Sequence, residues 1–478
     1  MSAAVTPPGR VALRRLARAA YPDAPDLLPD EALPELPGLA VGAAPNPVFR
    51  AVRQCLLDAG LDADAQHTPG WNPFGALVPR GGRVLVLVNF VHQRLGARES
   101  REDFEAKCTQ AAVLRPLLAY LCKAVGPEGR VVFGNAPVQG AAWPALLEDT
   151  RAARLLETLR REGTTPPVEA VDLRGWVLGE DRPRAEGVSV DLGADSLLEG
   201  ADGNRDYRVL QYDPAGTARF HGPGRHTYRI AREALAADLI VSVPKLKTHA
   251  KVGVTGALKG CVGAIAEKDC LAHHRRGGAA DGGDEYPAAH PLVRAASAVG
   301  DRVWQRGPVS PLTRAGRSLE RALYTLTHRL GMPSGGSWPG NDTCWRMALD
   351  IARCLRFADR DGVLRDTAQR RHVVLMDGVI GGEGNGPLRP RAVPSGCVLF
   401  AHDPFAADVV ASAVMGFDPR RVRQVGRAVG LARYPVTDLS LDDVRPLVDG
   451  AEVVWPELPG RVCRRFAPPD AWRGAMEL

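Results

Sequence analysis

Short apolar runs that end in polar or glycine-rich turns recur along the chain, and they restrict it to few folds. The runs at 84–88 (VLVLV), 130–135 (RVVFGN), 168–172 (VEAVD), 238–243 (DLIVSV), 372–377 (HVVLMD) and 397–401 (CVLFA) have the length of strands covered on both faces. Helical stretches near 104–125, 143–161, 228–236, 342–357 and 404–415 separate them. A strand, a helix and a strand at this spacing make a parallel unit. The expected fold is α/β, an open and mostly parallel sheet with helices on both faces, divisible into two α/β subdomains and carrying a large loop insertion. The expected segments are a Pro/Ala-rich arm (1–45), a first α/β half (46–273), a loop-rich insertion with one helix near 310–329 (274–340) and a second α/β half (341–478). The run YRVLQY at 207–212 reads as an added antiparallel edge.

Charge narrows the function. The 61 Lys+Arg against 55 Asp+Glu leave +6 over 478 residues, too small a surplus to require nucleic acid or an anionic membrane as partner. The distribution within that sum is more informative. Only seven basic residues are Lys (107, 123, 245, 247, 251, 259, 268), and five of them fall in a window, 245–268, that holds no Arg. In a chain that elsewhere prefers Arg, these positions mark places where a guanidinium cannot replace an ammonium. The nine Cys are scattered and never form C-x-x-C, so neither a disulfide framework nor an iron–sulfur cluster is expected. No secretory leader pattern and no apolar run of about 18 residues is evident, which makes the cytoplasm the expected location.

The lysine window reads PKLKTHAKVGVTGALKGCVG at 244–263. If it is extended, Lys245, Lys247, His249 and Lys251 share one face, while Leu246, Thr248, Ala250 and Val252 take the other. Crowded ammonium groups lower one another's pKa, which suits a general base or a carbonyl nucleophile, and equally suits point-charge binding of phosphate or carboxylate. Gly253, Gly256, Gly260 and Gly263 around Lys259 are spaced for a turn into a helix whose N–H groups face an anion, although the order is not that of a phosphate-binding P-loop. The competing reading is an exposed edge strand guarded by lysines.

Acidic residues collect at the far end of the chain. Asp377 closes a strand and Glu383 sits in the glycine-rich turn GVIGGEGNGP, with Asp403 and Asp408 beyond the next strand. Such carboxylates can hold Mg2+ beside an anionic substrate or act as an acid and base pair. Capping is the competing role for Asp403 and an ion pair for Asp408. Gly384, Asn385 and Gly386 give that turn freedom to wrap a ligand or a partner backbone. His273, next to His274, can join His249 as a proton shuttle or ligand. Asn89, His92, Asn135 and Gln139 place polar groups at the ends of the first two strands, and Asn341 and Asp342 read as a helix cap.

Val-Pro-Lys245-Leu-Lys247-Thr-His249, Thr255-Gly256-Ala-Leu-Lys259-Gly260, Asp377-Gly378 through Glu383-Gly384-Asn385-Gly386-Pro387, and Asp403-Pro-Phe-Ala-Ala-Asp408 through Met415-Gly416-Phe417-Asp418-Pro419 together resemble the family called domain of unknown function 362 over about 82–430. Members typically begin with a strand ending Lys-Pro-Asn. Here Leu87-Val88-Asn89 stands there, and the ferredoxin-type cysteines of many members are absent. The expected function is a cytosolic enzyme that binds an anionic metabolite, phosphorylated or nucleotide-linked. Lys245, Lys247, His249 and Glu383 are its candidate catalytic residues. Asn89, Asn135, Gln139, Lys251, Lys259, Gly256, Gly260, His273, Gly384, Asn385 and Gly386 are candidate ligand contacts, and Asp377, Asp403 and Asp408 candidate Mg2+ ligands. The alternatives are a non-catalytic assembly protein for an acidic partner and a lysine-based racemase or epimerase.

Overall fold

A computed structural model describes residues 8–23, 27–177, 185–305 and 311–478. Twelve strands form its main sheet: β1 (Arg10–Arg15), β2 (Arg83–Val88), β3 (Arg130–Asn135), β4 (Val168–Asp172), β5 (Leu239–Val243), β6 (Lys245–His249), β7 (Gly253–Val254), β8 (Arg371–Glu383), β9 (Arg391–Val393), β10 (Cys397–Ala401), β11 (Arg445–Val448) and β12 (Ala451–Glu452). The order across the sheet is β12-β11-β1-β10-β8-β5-β2-β3-β4. The run β8-β5-β2-β3-β4 is wholly parallel. The strands β10 and β9 are antiparallel to β8.

The continuous apolar runs become strands because both faces of the sheet are covered. Val84, Val86 and Val88 enter one core, with the helices Pro47–Asp58 and Ala111–Val125, while Leu85 and Leu87 enter the other, with Cys344–Phe357 and Pro404–Met415. The same alternation divides β8, where Val373 and Leu375 face one core and Val374 and Met376 the other. The fold is therefore the expected α/β architecture with helices on both faces. The two halves of the chain share this one sheet, since β8 of the second half lies directly against β5 of the first.

Several local expectations are corrected. The Pro/Ala-rich arm contributes β1, an interior strand between β10 and β11 with Val11, Ala12 and Leu13 buried. Three apolar residues between arginines are too few to show as a strand when the partners lie more than 380 residues away. The helix expected at 228–236 is a strand, Arg225–Ala231, followed by a short helix, Arg232–Ala236. The stretch 104–125 breaks into Arg101–Lys107 and Ala111–Val125, and 108–110 lies between them against the site. The residues Tyr207–Arg208 pair with His274–Arg275 away from the main sheet, and the insertion holds two helices, Pro291–Gln305 and Pro311–Arg329, packed on each other.

The glycine-rich turn is largely strand. β8 runs on to Glu383, and its glycines answer crowding. A Cβ at Gly382 would lie 3.0 Å from Lys247 Cβ and from the Ala106 carbonyl, and one at Gly381 would lie 2.6 Å from the Phe466 ring. This close approach lets β6 lie parallel beside the upper half of β8, pairing Lys245 with Asp377 and Lys247 with Gly382 across a bulge.

Candidate functional site

All five residues of β6 are buried, so the reading of an exposed, lysine-guarded edge does not apply. Alternation holds within the strand. Lys245 and Lys247 turn toward the 101–110 segment, while Leu246 enters the apolar core and the Thr248 hydroxyl donates to the Gly384 carbonyl at 2.7 Å. Lys251 lies in the turn after the strand.

The two strand lysines have different surroundings. The Lys245 ammonium is 3.1 Å from Asp377 Oδ1 and donates to the Tyr21 hydroxyl, which itself donates to Asp377 at 2.6 Å. The backbone N–H of Gln110 donates to the second Asp377 oxygen at 3.1 Å. Burial pulls the Lys245 pKa down and Asp377 opposes it. This is a closed ion pair, and it occupies Asp377, the residue expected to hold a metal. Among the described residues Lys247 has no such carboxylate. Its ammonium donates to the Lys107 carbonyl at 2.6 Å, and burial, reinforced by Lys245, Lys107 and Lys259, lowers it to about 7. Lys107 itself is matched to Glu99 at 2.8 Å.

Around Lys247 the positive groups accumulate. Lys259 bears electrostatically on Lys247, His249, Lys251, Lys268 and His273. Burial lowers Lys251 to about 8 and Lys268 to about 7, and pushes His249 and His273 well below the usual imidazole value. The Lys251 ammonium donates to the Gly335 carbonyl, so the end of the insertion closes over this face. Lys259 and Lys268 make no side-chain hydrogen bond or ion pair among the described residues. A Cβ at Gly260, next to Lys259, would meet open space.

The cluster sits where open α/β sheets place ligands, beyond the carboxyl ends of β2, β3 and β5. Asn89 and Asn135 end two of these strands as expected, and each has a buried amide oxygen with no hydrogen-bond partner. The Asn135 amide nitrogen donates to the Phe90 carbonyl at 2.8 Å. Gln139 donates to the Trp176 carbonyl. A buried polar group left unpaired costs about 1–3 kcal/mol, so each of these two amide oxygens lowers the stability of the strand ends.

The carboxylates are not gathered with the lysines. Glu383 is held by Arg464 at 2.8 and 3.0 Å and by the Ala467 N–H, and Arg464 keeps its pKa low despite burial. Asp403 accepts from Phe405 N and Ala406 N, the capping role weighed for it. Asp408 accepts from Ala257 N and Leu258 N at 2.5 and 3.0 Å, and burial raises it to about 7. It therefore occupies the helix start that the glycine spacing offered to an anion. Gly256, at φ +57, is required there because a Cβ would lie 2.3 Å from the Asp408 carboxylate. Among the described residues no three His, Cys, Asp or Glu side chains converge as metal ligands. Asn385 pairs with Asp470, and Gly384 takes the Ala467 carbonyl, so the turn at 384–386 wraps the chain's own C-terminal segment.

Tyr21, Lys107, Gln110 and Lys268 complete the site and were not selected by sequence reasoning. Lys107 and Lys268 carried a signal, being two of the seven lysines. Tyr21 and Gln110 carried none, because each reaches Asp377 across more than 260 residues of sequence.

The fold and the site together define a mixed α/β protein with a buried lysine strand beside the parallel core of its sheet. The family model described as "Domain of unknown function (DUF362)" matches residues 181–413. That range, narrower than the expected 82–430, carries β5 to β10 and every lysine of the 245–268 window. No curated protein matches. A solved structure of a Thermotoga maritima protein, a structural-genomics target, is similar at 13% identity and a TM-score of 0.29, covering 72% of this chain and 53% of that one. The chain thus spans about half the length of that protein. Among the described residues no helix is long and apolar enough to cross a membrane.

Proposed function

We propose that the protein is an enzyme acting on an anionic small metabolite, phosphorylated or nucleotide-linked, bound by the Lys247, Lys251, Lys259 and Lys268 cluster with His249 and His273. The observation that carries this reading is Lys247, a fully buried amine near pKa 7 with three lysines bearing on it and no carboxylate of its own. Burying an unpaired charge is costly, and an anion supplies the missing partner. Lys259, Lys251 and Lys268 would hold the anion as point charges. Lys247, about half uncharged at pH 7, would accept a proton from the substrate or attack its carbonyl. Lys245 is the poorer base because Asp377 and Tyr21 hold its proton in place, and Glu383 is committed to Arg464. The burial of β6 favours a small molecule over an acidic macromolecule, which would need an exposed cationic face.

The test is thermal unfolding with sugar phosphates, nucleotide-linked sugars and uncharged sugars. A phosphorylated ligand at about 100 times its Kd should stabilise the fold by about 2.7 kcal/mol, and Lys259→Met should remove that response. Equal behaviour of charged and uncharged sugars, or an unaltered response in Lys259→Met, would refute the assignment.

A further inference from the structure

A second concentration of positive charge lies outside the lysine cluster. An open cavity of about 640 Å3 is lined by Arg346, Arg420, Arg421, Arg423 and Arg427. Arg346 comes from the first turn of the helix Cys344–Phe357, and the other four from the 420–427 segment that ends in the short helix Arg423–Gly426. Three carboxylates answer these five guanidiniums. Asp342 lies 2.9 Å from Arg346 and 3.3 Å from Arg423, Asp418 lies 2.9 Å from Arg420 and 3.9 Å from Arg421, and Glu477 bears on Arg421. The Arg427 guanidinium has no side-chain partner among the described residues. The local surplus is two positive charges on planar groups that pair with phosphate oxygens in bidentate fashion.

Trp345, Trp472 and Pro339 also line the cavity, with the Arg346 guanidinium stacked on the Trp345 ring at 4.6 Å, and the volume falls in the range of metabolite sites, larger than one phosphate fills. The floor rests on the backbone of the lysine segment, with Trp472 Nε1 donating to the Ala250 carbonyl at 2.7 Å and the Gln424 amide to the Val254 and Thr255 carbonyls. No lysine side chain lines it.

We infer that this arginine cavity is a second anion site, which takes the diphosphate group of an organic ligand. A single carboxylate would leave the surplus charge uncompensated, whereas a pyrophosphate group matches it. The inference is independent of the lysine cluster.

Titration calorimetry with inorganic pyrophosphate, against chloride at equal ionic strength, tests it. Arg427→Gln should weaken pyrophosphate binding about tenfold or more, the size of one charge-assisted contact. The component of binding that Arg427→Gln weakens should persist in Lys247→Met, in which the lysine cluster is impaired. Arg427 is exposed and unpaired, so its replacement leaves the fold intact, and Arg420→Gln repeats the test from the other end of the segment. Pyrophosphate binding no better than chloride, or binding lost in Lys247→Met and kept in both arginine variants, would overturn the assignment.

Discussion

Asp377→Ala should destabilise the protein by about 3–5 kcal/mol, the cost of removing one partner from a buried, hydrogen-bonded ion pair. Four groups depend on that carboxylate: the Lys245 ammonium, the Tyr21 hydroxyl and the N–H groups of Gln110 and Val379. They come from the N-terminal arm, the 101–110 bend and both strands at the site, so the loss should be felt across the sheet. Denaturant unfolding measures it directly. Lys245→Met combined with Asp377→Leu should restore most of the loss, because removing both charges leaves no unmatched ion. A stability within about 1 kcal/mol of the parent in Asp377→Ala would show that the pair is not what joins the arm to β8.

The opposite outcome is expected one turn of the pleat away. Lys247→Met replaces a buried amine that has no carboxylate, so the protein should be as stable as the parent or more stable by about 1–2 kcal/mol. The unpaired Lys107 carbonyl limits the gain. Stabilisation by phosphorylated ligands should be lost in the same variant. A stability gain together with a functional loss marks a residue kept for chemistry rather than for the fold. Lys247→Arg separates the two roles, since a guanidinium keeps the charge but cannot give up its proton near neutral pH. It should retain anion binding and lose turnover. A marked loss of stability in Lys247→Met would assign Lys247 to the scaffold.

Much of the fold was legible because covered parallel strands are continuous apolar runs, and β2, β5, β8 and β10 each appear as one. The strand β1 was not legible, because its partners lie at the other end of the chain and its own pattern is short. The importance of the lysine window was visible in the Lys and Arg distribution, since composition elsewhere had replaced the exchangeable lysines. What each lysine does was not visible. Lys245 and Lys247 share a face and a residue type, yet one is matched by Asp377 and the other is not, a difference set by the bulge that sets a two-residue step of β6 against a five-residue step of β8. The glycines misled for a physical reason. A Gly-rich run signals either backbone freedom or close approach, and in β8 it is close approach. Asp403 and Asp408 likewise stood near the right place, but each caps a helix start.

The titration of the lysine cluster gives the most direct test of the anion site. Burial lowers Lys247 and Lys268 to about 7 and Lys251 to about 8, so near pH 8 the first two are mostly unprotonated and Lys251 about half so in the free protein. A bound anion favours the charged forms of Lys251 and Lys268, which hold it, and raises their pKa values, so binding must take up protons. Affinity should then be highest below about pH 7 and fall as the pH rises through 7 to 8. Calorimetry at pH 8 in buffers of different ionisation enthalpy measures the uptake. The probe is a nucleotide-linked sugar, whose diester phosphates stay ionised across this range. Uptake of about one proton per ligand is expected in the parent, and less in Lys268→Met. Arginines do not titrate here, so binding in the arginine cavity contributes nothing to this signal. Binding with no proton uptake, and with an affinity that does not change between pH 6.5 and 8.5, would contradict an anion seated on these lysines.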